Sequence, residues 1–150
     1  MSELEEWLPT EAIVRKFGLY TKMLTSLGVE IRELSKKKQE GTLNLTKVRM
    51  INRVLQPLKL EVLDHIPAHI FLDLLDEDAL PNNSDAVLVI SQFEAAIKEF
   101  DDLYHRRVKV DTFSTRSYWA TVENPDGMVG YESEEEDDDY EEDDEDELEE

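Results

Sequence analysis

The sequence predicts an all-α protein: a bundle of four to five helices, a short extended or β-hairpin segment at 108–122, and a disordered acidic C-terminal tail. Three observations predict it. Apolar residues recur at alternating spacings of four and three between residues 13 and 34. Residues 108–122 are rich in Val, Thr, Phe, Tyr and Trp, which favour extended chain. Residues 132–150 hold 16 acidic side chains in 19 positions and no basic one. The predicted organisation is a helical domain over 1–130 and a disordered acidic tail over 131–150.

The first helix carries the most regular pattern. Ile13, Phe17, Tyr20, Leu24, Leu27, Ile31 and Leu34 form a narrow apolar stripe, of the kind that faces a partner helix. Thr10 suits the N-cap and Glu11 the positive end of the helix dipole. Lys36, Lys37 and Lys38 suit the last turn, with Gly41 just beyond. Gly18 and Gly28 each cost about 1 kcal/mol in a helix interior. They admit a close neighbouring helix, or Gly28 divides the segment into two helices.

A second helix is expected from about residue 43 to 56, with Val48, Ile51, Leu55 and Leu58 on one face. Pro57 then kinks it or opens a new turn. Pro67 repeats the pattern, and Ala68 to Leu75 reads as a short apolar helix. Asp76, Glu77 and Asp78 begin a loop, because carboxylates are unfavourable at a helix C-terminus. Asn83 or Ser84 caps the last helix, about 84–106. Its two overlapping stripes, which meet at Phe93 and Phe100, place it at the centre of the bundle, with the first helix peripheral or dimer-forming. A hairpin turning near Ser114 and Thr115 follows. Asn124-Pro125-Asp126-Gly127 is a turn signal that marks the end of the fold.

Charge narrows the functional classes. The chain has 37 acidic and 16 basic residues, a formal net charge of −21. Removing the 16 acids of residues 132–150 leaves the rest at −5. No basic excess exists to neutralise phosphates or to dock on anionic lipid, so neither direct nucleic-acid binding nor membrane binding is expected. Cysteine is absent, which excludes disulfides and thiolate chemistry. The N-terminus has no basic and apolar leader, and no apolar run approaches the length of a membrane span. A cytoplasmic protein is expected, or a nuclear one in a eukaryote.

No constellation marks an enzyme. The glycines stand at 18, 28, 41, 127 and 130, which excludes a Gly-rich phosphate loop, and no Gly-x-Ser-x-Gly elbow occurs. His65, His69 and Asp73 would share one side of an unbroken helix, but Pro67 interrupts that register, and surface histidines are the default. The acids of 73–85 lack the order of an EF-hand loop. No catalytic, cofactor-binding or metal-binding residue is therefore assigned, and no cofactor is expected.

What remains is interaction. The expected partner-binding residues are the stripe from Ile13 to Leu34, then Phe113, Arg116, Tyr118 and Trp119, residue types that dominate interface hot spots, and Tyr140 as an apolar anchor in the tail. The bland alternative for Phe113 to Trp119 is a cover over one side of the bundle. Blocks of like charge stay disordered and act as interaction arms. The expected function is a non-enzymatic adaptor or chaperone-like module, whose tail binds or shields a basic, nucleic-acid-binding protein partner. The alternative is a structural subunit that self-associates through the stripe, with the tail only keeping it soluble. Lys36 to Lys38, and Arg106, Arg107 and Lys109, each end a predicted helix, where the expected role is to complement the helix dipole; the alternative is that one of these clusters receives the tail when no partner is bound.

Overall fold

The computed structural model describes residues 6–128, and over them the chain is mostly helical. Three α-helices, α1 (Glu11–Lys37), α2 (Leu45–Pro57) and α3 (Asn83–Tyr104), precede an antiparallel hairpin of β1 (His105–Asp111) and β2 (Ser114–Trp119). The expected count of four to five helices is thus corrected to three. The acidic tail, 131–150, lies outside the described residues.

Each helix begins on a side-chain cap. Thr10 Oγ1 accepts from the Ile13 N–H at 3.1 Å, Asn44 Oδ1 from Lys47 at 2.8 Å, and Asn82 Oδ1 from Asp85 at 2.8 Å. Each bond satisfies a donor that a helix N-terminus leaves over. The cap of α3 is therefore Asn82, not Asn83 or Ser84. Asn83 is instead buried, and its amide donates to the Lys38 carbonyl at 2.9 Å. The Asn83 N–H donates to the Gly41 carbonyl and the Leu43 N–H to the Pro81 carbonyl, both at 2.8 Å. These bonds fasten the α1–α2 loop to the start of α3. Gly28 does not divide α1, which runs unbroken for 27 residues.

Pro57 ends α2. It has no N–H to donate, and its ring crowds the carbonyl four residues back. The chain widens there into a π turn, Leu58–Val62, closed by the Leu63 N–H on the Leu58 carbonyl at 2.8 Å. The helix expected over Ala68 to Leu75 shrinks to a single 3-10 turn, Pro67–Phe71. The reason lies across the chain in α2. The buried Asn52 donates its amide to the Leu75 carbonyl at 2.8 Å and accepts from the Leu75 N–H at 2.9 Å. That two-way lock satisfies both backbone groups of Leu75, so the chain turns extended at Leu72 and residues 72–75 form no helix.

The core lies between the helices. Phe17, Leu24 and Ile31 of α1 bury against Ile90, Phe93 and Phe100 of α3, and Val48, Ile51 and Leu55 of α2 complete the cluster. The Phe17 and Phe100 rings stack with centroids 4.6 Å apart. Gly28 is buried, and a Cβ there would stand 2.9 Å from Arg32 Nη1 but at ordinary contact distance, 3.5 Å, from Ile90 Cγ2, so the glycine leaves room for the Arg32 guanidinium rather than for the helix axis of α3. Gly18 has no such role: it is exposed, with open space where its Cβ would be. The helix placed at the edge by its narrow stripe proves to be the shared neighbour of α2 and α3.

The last helix ends at Tyr104 rather than at 106, and the strand begins at once. The Tyr104 carbonyl accepts from the Ala120 N–H at 2.8 Å, which closes the base of the hairpin. Its turn falls at Thr112 and Phe113, two residues before the expected place. The Asp111 carboxylate organises it, accepting from the Phe113 and Ser114 N–H groups at 2.9 and 3.0 Å and from the Ser114 hydroxyl. Beyond β2 the chain returns to the first helix. The Val122 N–H donates to the Pro9 carbonyl at 2.9 Å, and the Glu123 carboxylate accepts from the Glu11 N–H at 2.9 Å.

Candidate functional site

Two surface features stand out among the described residues, the hairpin with its exposed turn and a groove between α1 and α2. The predicted interaction residues distribute unevenly over them.

The stripe is occupied within the chain. Phe17, Leu24 and Ile31 are buried, and Ile13, Tyr20, Leu27 and Leu34 are half-buried against the same core. The partner helix that the spacing calls for is α3 of the same molecule. Self-association through the whole stripe would first require this seam to open. Arg32 and Glu94 hold its rim: the guanidinium donates to the carboxylate at 2.6 and 3.2 Å and to the Ser91 hydroxyl at 3.2 Å. The hydrogen bond to Glu94 raises the Arg32 pKa above its ordinary value. Both side chains remain more than one third exposed, so solvent screening limits the pair to about 1 kcal/mol or less.

The four hairpin residues have different fates. Phe113 sits at the turn with 94% of its surface exposed. Trp119 lies against the core, its ring edge-on to Phe17 at 5.4 Å and stacked on His105 at 4.5 Å. It is half-buried against the end of the helices. Tyr118 packs over Gly127, whose φ of +75° and lack of room for a Cβ both demand glycine. The Arg116 guanidinium donates to the Gly127 carbonyl. Arg116 and Tyr118 thus hold the segment that leads to the tail. Tyr140 lies outside the described residues.

The basic clusters are open to solvent. Lys37 and Lys38 are exposed at the end of α1, and Lys36 meets Glu33 at 3.5 Å. On β1, Arg106 pairs with Glu6 while Arg107 and Lys109 are exposed. Register places Arg107 opposite Ser117 and Lys109 opposite Thr115, so both cations share one face of the ribbon with small polar neighbours. The Tyr104 hydroxyl, near the hairpin base, has its pKa raised, first by burial and then by the Glu6 carboxylate.

The groove between α1 and α2 takes in Tyr20, Leu27 and Ile31 of the predicted stripe, and joins to them Met23, Met50, Arg53 and Val54, which sequence reasoning missed. Tyr20, Met23, Leu27, Met50 and Val54 line an apolar depression of about 400 Å³, with Arg53 as its one charged wall residue. It continues past Leu27 and Met50 towards Ile31, Lys47 and Glu30. Leu19, Met23 and Met50 are exposed. A signal for it was present in the composition of α2, which carries Lys47, Arg49 and Arg53 and no acidic residue. Among the described residues Arg49 meets Glu77 at 3.4 Å, whereas Arg53 and Lys47 have no ion-pair partner.

The histidines assemble no shared site in this geometry. His65 stacks on Trp7 at 4.1 Å and lies 3.4 Å from Asp64. His69 sits in the 3-10 turn and Asp73 in the non-helical stretch beyond it, so the helical register that would align the three does not form. Among the described residues no group of three His, Cys, Asp or Glu side chains could hold a metal ion. The Asp76 carboxylate accepts from the Asp78 and Ala79 N–H groups at 2.8 and 3.0 Å, which lowers its pKa and shapes the loop. No helix among the described residues is long and apolar enough to cross a membrane. Compared with known proteins, the chain matches no family model, no curated protein sequence and no solved structure, so its surfaces alone carry the functional reading.

Proposed function

We propose that the protein is a non-enzymatic interaction module, adaptor or chaperone-like, whose acidic segment binds or shields a basic, nucleic-acid-binding protein partner. The observation that carries this reading is the separation of charge. Sixteen carboxylates are concentrated in residues 132–150, while residues 1–131 hold 21 acidic and 16 basic side chains. Such a segment offers Lys/Arg-rich surfaces an alternative to phosphate, and it steers their approach over about a Debye length, roughly 8 Å at physiological salt. The exposed Phe113 supplies an apolar contact of the kind that fixes a partner once steered.

A titration with a Lys/Arg-rich peptide tests it, comparing the full chain with a chain ending at Tyr131. The full chain is expected to bind, to weaken steeply as salt rises, and to release the peptide to competing DNA only at high DNA concentration. Equal binding by both chains at low and high salt would show that the acidic segment has no recognition role.

A further inference from the structure

The α1–α2 groove combines an apolar floor with unpaired cations, and the same chain contains a segment of the opposite character. Tyr140 stands in the middle of the acidic run, between Asp137, Asp138 and Asp139 on one side and Glu141 and Glu142 on the other. An aromatic ring set among carboxylates matches a depression floored by Met23, Leu27, Met50 and Val54 and walled by Arg53. Methionine suits such a floor, because its unbranched, polarizable side chain adapts to the ring it receives. Arg53 is exposed and lacks an acidic partner among the described residues. Lys47, at the continuation of the groove, is half-buried and likewise lacks an acidic partner among the described residues. Glu30 opposes them at that end, so the favourable half is the one beside Tyr20 and Arg53.

Reach agrees with charge. Twelve residues separate Met128 from Tyr140, and such a length spans up to about 40 Å when extended. Met128 itself lies by Arg116 on β2. The same strand ends at Trp119, whose ring meets Phe17 at 5.4 Å. Tyr20 follows Phe17 by about one helical turn, roughly 5 Å. The near end of the groove is therefore well within the segment's range, and the covalent connection gives the segment an effective concentration in the millimolar range.

We propose that the α1–α2 groove is the docking site for the chain's own acidic segment centred on Tyr140, with the ring on Met23 and Met50 and its flanking carboxylates on Arg53 and Lys47. This goes beyond the binding of basic partners and does not depend on it. Where such a partner exists, it competes with the groove for the same carboxylates.

The absence of cysteine makes the test direct. Glu142→Cys in the full chain creates a single thiol for a nitroxide label, and the chain has only four methionines whose methyl signals must be followed. Docking within one molecule predicts that the label broadens the Met23 and Met50 methyls at low salt, and that most of the intensity returns at about 0.5 M salt, where screening shortens to a few Å. Arg53→Glu and Tyr140→Ala, each in the labelled chain, are expected to restore those signals as well. Both side chains are replaced without touching the core, and the remaining methyl shifts report that the fold persists. Undisturbed Met23 and Met50 signals, or broadening of Met128 alone, would overturn the proposal. So would equal broadening in a mixture where label and observed methyls are on different molecules, which would make a second copy the occupant.

Discussion

The two flanks of α1 are built from similar side chains and end differently. Towards α3, Phe17, Leu24 and Ile31 share one buried cluster with Phe93, Phe100 and Ile90, and Gly28 lies buried beside Ile90. Towards α2, Met23 and Leu27 meet Met50 and Val54 across a depression of about 400 Å³. The closed flank has a glycine and stacked rings; the open flank has flexible thioethers and a cation on its wall. Apolar composition alone therefore does not close a seam. Closure needs side chains that interlock: the closed flank stacks Phe17 on Phe100, whereas on the open flank the short Ser26 among Met23, Leu27 and Met50 leaves space unfilled.

Substitutions on each flank measure the difference. Phe100→Ala, on the closed side, is expected to destabilise the fold by about 3–5 kcal/mol in urea denaturation, because the cavity has rigid walls. Asn52→Leu is next. It leaves the N–H and carbonyl of Leu75 without their partners and should cost about 2–3 kcal/mol, since a buried unsatisfied group is expensive. It also frees residues 72–75, which hydrogen exchange at the Leu75 amide would report as lost protection. Met50→Ala, on the open side, should cost about 1 kcal/mol or less, as the residue is already nearly half exposed. A loss as large as that of Phe100→Ala would mean that the two flanks are equally packed. Gly18→Ala faces neither flank and has open space around it. It should stabilise the helix by about 0.5–1 kcal/mol.

The closed flank was legible in the sequence and the open one was not, for a physical reason. The 4-3 spacing from Ile13 to Leu34 is a property of one helix, and it marks the face that buries. Met23 lies off that stripe, and its relation to Met50 and Arg53 exists only once α1 and α2 are side by side. Non-local bonds also overrode local pattern. The apolar run from Ala68 to Leu75 suits a helix, but Asn52, 23 residues before Leu75, captures its backbone. The hairpin was visible in its Val, Thr and Tyr content, yet its start at His105 was hidden. Arg106 and Arg107 show no apolar alternation, and a register shift between Lys109 and Asp111 spoils the period further on. Trp119 suits cover or contact by its chemistry, and its place against Phe17 depends on a packing that no local pattern encodes.

The return of residues 122 and 123 to Pro9 and Glu11 has a mechanical consequence. Tension applied through Met128 falls first on the Arg116 contact with the Gly127 carbonyl, and only after that on the two hydrogen bonds that staple residues 122 and 123 to the first turn of the longest helix. Those bonds lie in series with the load, and the helix behind them is sheltered until they break.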